Sequence, residues 1–261
     1  MYAHESNIKS KIRTNYNGKS KELQIFMDNV YTSYKRELEK INYVERKLVD
    51  FNKAAKLINE YLKKIDDFSA LYGITSQSKL RSSFLEEMNT YLFQNMINKE
   101  APKLSIYNKG VYAGVKIENN MKVGIITKDV DFCIGKKVKL VIDNDFSGDI
   151  IIPIVAVEVK TYLDATMFGE VQYSCRQIKN ATPNVKTYVI MEANDVGKEK
   201  IIATRFDNTV TEMFVFRGKA KESEIDSKVL LDYYEEISNA IKNINAENEI
   251  KVPGRLIKIV E

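Results

Sequence analysis

Glu158 and Lys160 stand two residues apart at the end of an apolar run, and Asp131 precedes them in the segment Asp129-Val130-Asp131-Phe132. The run from Ile150 to Val157 is broken only by Pro153 and reads as a buried strand. Side chains alternate faces along a strand, so Glu158 and Lys160 share one side while Val157 and Val159 point into the core. A carboxylate and an ammonium held together at the end of an apolar strand are costly unless a ligand uses them. A divalent cation and a phosphate would use them. The carboxylate, with a second from Asp131, takes the metal, and the lysine faces the phosphate or the attacking water. The competing reading is a plain Glu–Lys ion pair at a strand end, which the apolar approach to Glu158 disfavours.

Positioning these groups falls to elements legible on either side. Residues 20–69 contain no Pro or Gly. Their apolar positions Leu38, Ile41, Val44, Leu48, Phe51, Ala55, Ile58, Leu62, Ile65 and Phe68 step by three and four, which predicts two or three helices or one long bent one. Gly73 and a Thr/Ser cluster in 71–80 mark a linker and N-cap, and Leu80–Ile97 carries another helical stripe. The period then changes. Segments 104–117 and 122–142 are β-branched and turn-bounded, 143–149 reads as a turn, and the Glu158 strand follows. A helix over 165–179, strands at 185–191 and 212–217 and a helix over 224–244 complete the pattern.

Composition narrows the chemistry. At 261 residues, with 44% hydrophobic and 29% charged residues, the chain has the profile of one large globular domain or a domain with an extension. A net charge of +4 permits a nucleic-acid partner without requiring one. Cys133 and Cys175 form no Cys-x-x-Cys pair, the N-terminal residues are polar, and no apolar run approaches membrane-spanning length, so a cytoplasmic setting without a membrane is expected. The single histidine, His4, is expected in a frayed terminus, which excludes a His-dependent triad, a His-rich zinc site and an HNH-type nuclease.

Asp131, then Glu158-Val159-Lys160, then a helix, resembles the catalytic signature of the PD-(D/E)XK nuclease superfamily. The residues from Glu158 to Lys179, EVKTYLDATMFGEVQYSCRQIK, resemble the Bpu-type branch of the Type II restriction endonucleases. The resemblance spans roughly residues 80–195. It implies an α/β fold: a PD-(D/E)XK nuclease-like core, a mixed sheet flanked by helices, over 76–261, with a helical N-terminal region over 1–75 for DNA binding, dimerisation or packing.

The same resemblance implies a sequence-specific double-stranded DNA endonuclease that uses Mg²⁺, with Mn²⁺ able to substitute, and leaves 5′-phosphate and 3′-hydroxyl ends. Asp131, Glu158 and the carbonyl of Val159 would hold the metal, and Lys160 would orient or help deprotonate the attacking water. Asp129 competes with Asp131 for the first role. Glu87 matches an auxiliary carboxylate of such nucleases, with Glu86 as its rival. Arg176, Lys179, Tyr162 and Gln172, with Tyr173 nearby, are the candidates for DNA contact; for Glu170 and Gln172, at the start of the helix after the motif, a solvated or capping role is the competing reading. Cutting two strands implies a homodimer or a paired subunit, and a restriction system implies a cognate DNA methyltransferase. Nicking or repair nucleases of the same fold, and a non-catalytic DNA-binding protein, are the alternatives.

Overall fold

The computed structural model describes residues 2–217 and 224–243. The expected core over 76–261 thus includes 218–223 and 244–261, which lie outside the described residues, as does the last residue of the helix expected over 224–244.

Helices dominate the first hundred residues: α1 (Ala3–Arg13), α2 (Ser20–Phe26), α3 (Thr32–Glu39), α4 (Leu48–Tyr72) and α5 (Leu80–Glu100), with a π-helical turn over Met27–Tyr31 joining α2 to α3. The apolar stripe predicted through 38–68 crosses a real break between α3 and α4, where Arg46 adopts a left-handed backbone. From Phe51 to Phe68 that stripe is the buried face of α4. The helix stops at Gly73, whose φ of 63° a residue without Cβ adopts freely.

Among the described residues seven strands form one mixed sheet: β1 (Ser105–Tyr107), β2 (Val111–Ile117), β3 (Val123–Lys128), β4 (Phe132–Ile142), β5 (Phe146–Leu163), β6 (Lys186–Asn194) and β7 (Glu212–Val215). Helix α6 (Ala165–Ala181) follows β5, α7 (Lys198–Asp207) separates β6 from β7, and α8 (Ser227–Lys242) follows β7. The predicted turn over 143–149 is shorter than expected. Phe146, Ser147 and Gly148 already pair with Ile142, Val141 and Leu140 in a hairpin, so β5 begins at Phe146.

Strand β5 organises the sheet. Along one edge it runs antiparallel to β4; along the other it pairs in parallel with β2 at Ile151 and with β6 from Val155 to Leu163. The β4 ladder ends at Phe132↔Val157, which leaves residues 158–163 without a strand on that side. Opposite Ile134 and Gly135, β5 carries one extra residue, Ile154. Ile154 and Val155 both pack into the large helical core, whereas Ile151 and Ala156 pack into the cluster with Ile178 of α6. The side-chain alternation therefore shifts by one at this bulge.

One hydrophobic core joins α1–α5, α8 and the inner face of β4, β5 and β6, with Tyr61, Phe84, Phe93, Tyr233 and Tyr234 among its buried aromatic rings. Arg81 near the start of α5 reaches Glu192 of β6 through Nε at 2.7 Å and also pairs with Asp66 of α4, while Arg217 meets Glu192 at 2.8 Å. This network fixes the start of α5 against the sheet. The expectation of a frayed His4 fails. Its side chain is fully buried, with Nδ1 2.9 Å from Ser83 Oγ and Nε2 2.8 Å from the Tyr61 hydroxyl. Docking of α1 on α5 places the imidazole among Tyr31, Tyr61 and Phe84, and burial pushes its pKa down to about 3, so it stays neutral. Among the described residues no helix is long and apolar enough to cross a membrane.

Candidate active site

Asp131, Glu158 and Lys160 converge where β5 outruns β4. Glu158 and Lys160 lie on one side of β5, Nζ to Oε2 at 3.6 Å, while Val157 and Val159 enter the core as the alternation predicts. Asp131 precedes β4, and its Oδ2 accepts the Val159 N–H at 2.8 Å. The first carboxylate is thereby tied to the main chain between the second carboxylate and the lysine. Ser174 of α6 donates from its hydroxyl to Glu158 Oε1 at 3.1 Å, which orients the carboxylate from the outer side of the sheet.

Asp129 sits apart from this pair. It is exposed, lies in the loop after β3 rather than on a strand, and accepts the Gly110 N–H at 3.0 Å, bracing the turn between β1 and β2. Of the two neighbouring acids on α5, the structure brings Glu86 toward the site. Glu87 is fully buried on another side of the helix, where it accepts hydrogen bonds from Tyr31 at 2.8 Å, from Tyr91 and from the Glu5 N–H at 3.0 Å. Glu87 anchors α1 and the π-helical turn to α5 and takes no part in the acidic cluster.

The electrostatics of the cluster are unfavourable without a cation. Burial, then the charge of Asp131, holds the Glu158 carboxyl above its ordinary range. Burial, then Asp131, raises Glu86 to about 7, with Lys79 and Lys160 acting in the opposite direction and Glu158 adding to the rise. Among the described residues no three His, Cys, Asp or Glu side chains are grouped to hold a metal ion. The fit of a divalent cation rests instead on two carboxylates, Asp131 and Glu158, and a main-chain carbonyl. All three are oxygen donors, suited to a hard cation, and a cation between the two carboxylates would offset their repulsion.

The Glu86 shift has a measurable consequence in metal-free protein. Between 4.5 and about 7 the unfolded chain has lost a proton that the folded chain keeps, so stability falls as pH rises through that window. Glu86→Gln is therefore expected to stabilise the protein by up to about 3 kcal/mol at pH 8 and by little at pH 4. Urea unfolding in EDTA at the two pH values reads this difference. An equal effect at both would mean that Glu86 is not held protonated by its surroundings.

The other sequence candidates lie elsewhere. Arg176 is exposed on α6 with Nη2 3.6 Å from Asp207, and Lys179 donates to the Asn208 carbonyl, so both face the end of α7. Burial lowers the Lys179 pKa. The Tyr162 hydroxyl donates to Asp195 at 2.5 Å, and Gln172 is half-buried on α6. Glu170 is exposed and lies within α6, whose cap is Asp164, accepting from the Thr166 and Met167 N–H groups at 2.8 Å. Ser174 and Lys128, whose charge acts on Glu158, escaped the sequence reading because nothing in their spacing distinguishes them from other polar residues.

A family profile described as Bpu10I restriction endonuclease matches residues 77–243. A solved structure entitled native BbvCI A2B2 tetramer at low resolution superposes with a TM-score of 0.70 at 17% identity, covering 93% of this chain and 98% of that one. No curated protein matches the chain significantly.

Proposed function

Because this chain belongs to the Bpu10I restriction endonuclease family, and so is a site-specific deoxyribonuclease, we propose that it cuts double-stranded DNA with Mg²⁺ to leave 5′-phosphate and 3′-hydroxyl ends. The observation that carries this reading is the tie from Asp131 to the Val159 N–H, which sets Asp131, Glu158 and Lys160 around one short stretch of main chain. An extended residue projects its N–H and C=O from the same edge of the strand, so the Val159 carbonyl faces the side on which Asp131 sits. Asp131, Glu158 and that carbonyl would hold the ion. Mn²⁺ offers the same preference for oxygen donors.

Held there, Mg²⁺ supplies Lewis-acid polarisation of a phosphate oxygen and a lowered pKa for water. The protein's own part is positioning and charge. Ser174 and Lys160 fix the Glu158 carboxylate from two directions, and the Lys160 ammonium orients the attacking water and offsets charge that develops on the phosphate. Tyr162, Gln172, Arg176 and Lys179 are the candidates for DNA contact, Arg176 being the exposed cation among them. We assign residues 1–75 to a helical N-terminal region and 76–261 to the nuclease core.

Two strands need two such sites, hence a homodimer or a paired subunit. The A2B2 composition of the BbvCI assembly is the precedent for pairing with a non-identical chain. A cognate DNA methyltransferase would protect the host's own sites.

Incubation with plasmid and phage DNA in Mg²⁺ or in EDTA tests the reading. The expected result is discrete fragments in Mg²⁺ alone, with ends that a ligase rejoins without phosphorylation. Nicked circles alone would point to a nicking enzyme or a missing paired subunit. Intact DNA with binding retained would point to a non-catalytic DNA-binding protein.

A further inference from the structure

A cavity of about 400 Å³ opens beside the acidic cluster, and its three walls come from four separate parts of the chain. Asp129 and Asp131 form one side with Asn108 and Lys109 of the β1–β2 turn. Lys79 and Glu86 form another, at the start of α5. Ser6 and Asn7 of α1 close the third. Three acidic side chains, Asp129, Asp131 and Glu86, thus line the cavity, and Glu158 lies close to Asp131. One divalent cation offsets only part of that charge, and Lys160 lies against Glu158.

Lys79 and Lys109 are the other cations of the cavity, and both side chains are exposed. Each is held by its backbone rather than by an acid. Lys79 adopts a left-handed conformation, φ 56°, uncommon for a residue with a Cβ. Asn7 secures it there, donating from Nδ2 to the Lys79 carbonyl at 3.0 Å and to Ser83 Oγ at 3.1 Å. Lys109 precedes Gly110, whose N–H is taken by Asp129. Asp129 thus shapes the turn that presents a lysine.

We propose that Lys79 and Lys109 form a clamp for the DNA backbone beside the scissile phosphate, and that α1, through Asn7, is what positions Lys79 within it. The clamp rests on the nuclease reading above and adds to it a role for the N-terminal helix in seating substrate.

Binding of the full-length protein to a labelled duplex spanning the cleavage site mapped from plasmid digests, in EDTA over a salt series, tests it. Lys79→Gly suits the left-handed backbone and removes the whole side chain with its charge; Lys109→Ala cuts the second lysine back to its Cβ. Each is expected to weaken binding about fivefold at moderate salt and to reduce the slope of log K against log salt by about one. In Mg²⁺ the loss should appear in KM more than in kcat. Lys79→Arg should keep the wild-type slope, and Asn7→Ala should lower it part of the way. An unchanged slope in both lysine variants, with wild-type protein still cutting DNA, overturns the clamp. A lowered slope in Lys79→Gly with none in Asn7→Ala keeps the lysine and overturns the role of α1. If the wild type neither binds nor cuts DNA, the nuclease reading fails first.

Discussion

Replacing Glu158 with alanine is expected to lower DNA cleavage at least about a thousandfold while the protein still folds and binds DNA. The group removed would be one of two carboxylates holding the metal, and the Ser174 hydroxyl and Lys160 ammonium would lose the partner that fixes them. Folding should survive, because burial and Asp131 already work against an ionised Glu158. Glu158→Gln keeps an acceptor for Ser174 and should be at least as stable as wild type near neutral pH, yet equally slow. Duplex binding in EDTA should hold or tighten a few-fold, since a carboxylate leaves the path of a phosphate. Initial cleavage rates, thermal melting and binding together separate these effects. A Glu158→Ala protein that cuts within tenfold of wild type would place the chemistry elsewhere.

Gly135→Ala should be nearly as damaging by a different route. A Cβ at Gly135 would sit 2.5 Å from the Ile152 carbonyl oxygen and 3.3 Å from the Pro153 Cα, both main-chain atoms that cannot swing aside. The strands must part or the bulge at Ile154 must be lost, and either costs about 2–3 kcal/mol by the measure of an overpacked core. The effect on cleavage should exceed the effect on stability. Loss of the bulge without a compensating slip would turn Glu158 and Lys160 into the large hydrophobic core and bring Val157 and Val159 to the face that Glu158 and Lys160 now occupy. Urea midpoints alongside cleavage by the fraction still folded read both consequences. Full activity per folded molecule would show that the bulge does not set the orientation of Glu158.

The strand that carries Glu158 and Lys160 is legible because its signals are local: an apolar run, alternation, and charged residues only at its end. The helix–strand–helix order was legible for the same reason. What the sequence left open depends on partners distant in the chain. Glu86 and Glu87 differ by about 100° around one helix, and α5 is buried on most of its circumference, so no polar stripe marks which acid faces the sheet. The choice is made by Glu5 of α1 and by Tyr31, which claim Glu87 from 82 and 56 residues upstream. The burial of His4 is not legible in the sequence, because the apolar pattern near the start of the chain is too short to show the packing of α1. Asp129 and Asp131 looked equivalent two residues apart, yet one braces a turn and the other grips Val159. Helix α7 went unread because no long apolar stripe distinguishes its ten residues.

The burial of His4 has a use beyond packing. A chain with one histidine yields a single set of imidazole signals in a proton or nitrogen spectrum, with no ambiguity about the residue they come from. Here both ring nitrogens are engaged, by residues on α4 and α5, and the ring is shielded by three aromatic neighbours. The same helix carries Asn7, one turn along, at the rim of the cavity beside the acidic cluster. The sequence thus contains its own magnetic-resonance reporter of whether α1 is seated when DNA or a divalent cation arrives, readable without a probe attached at the site itself.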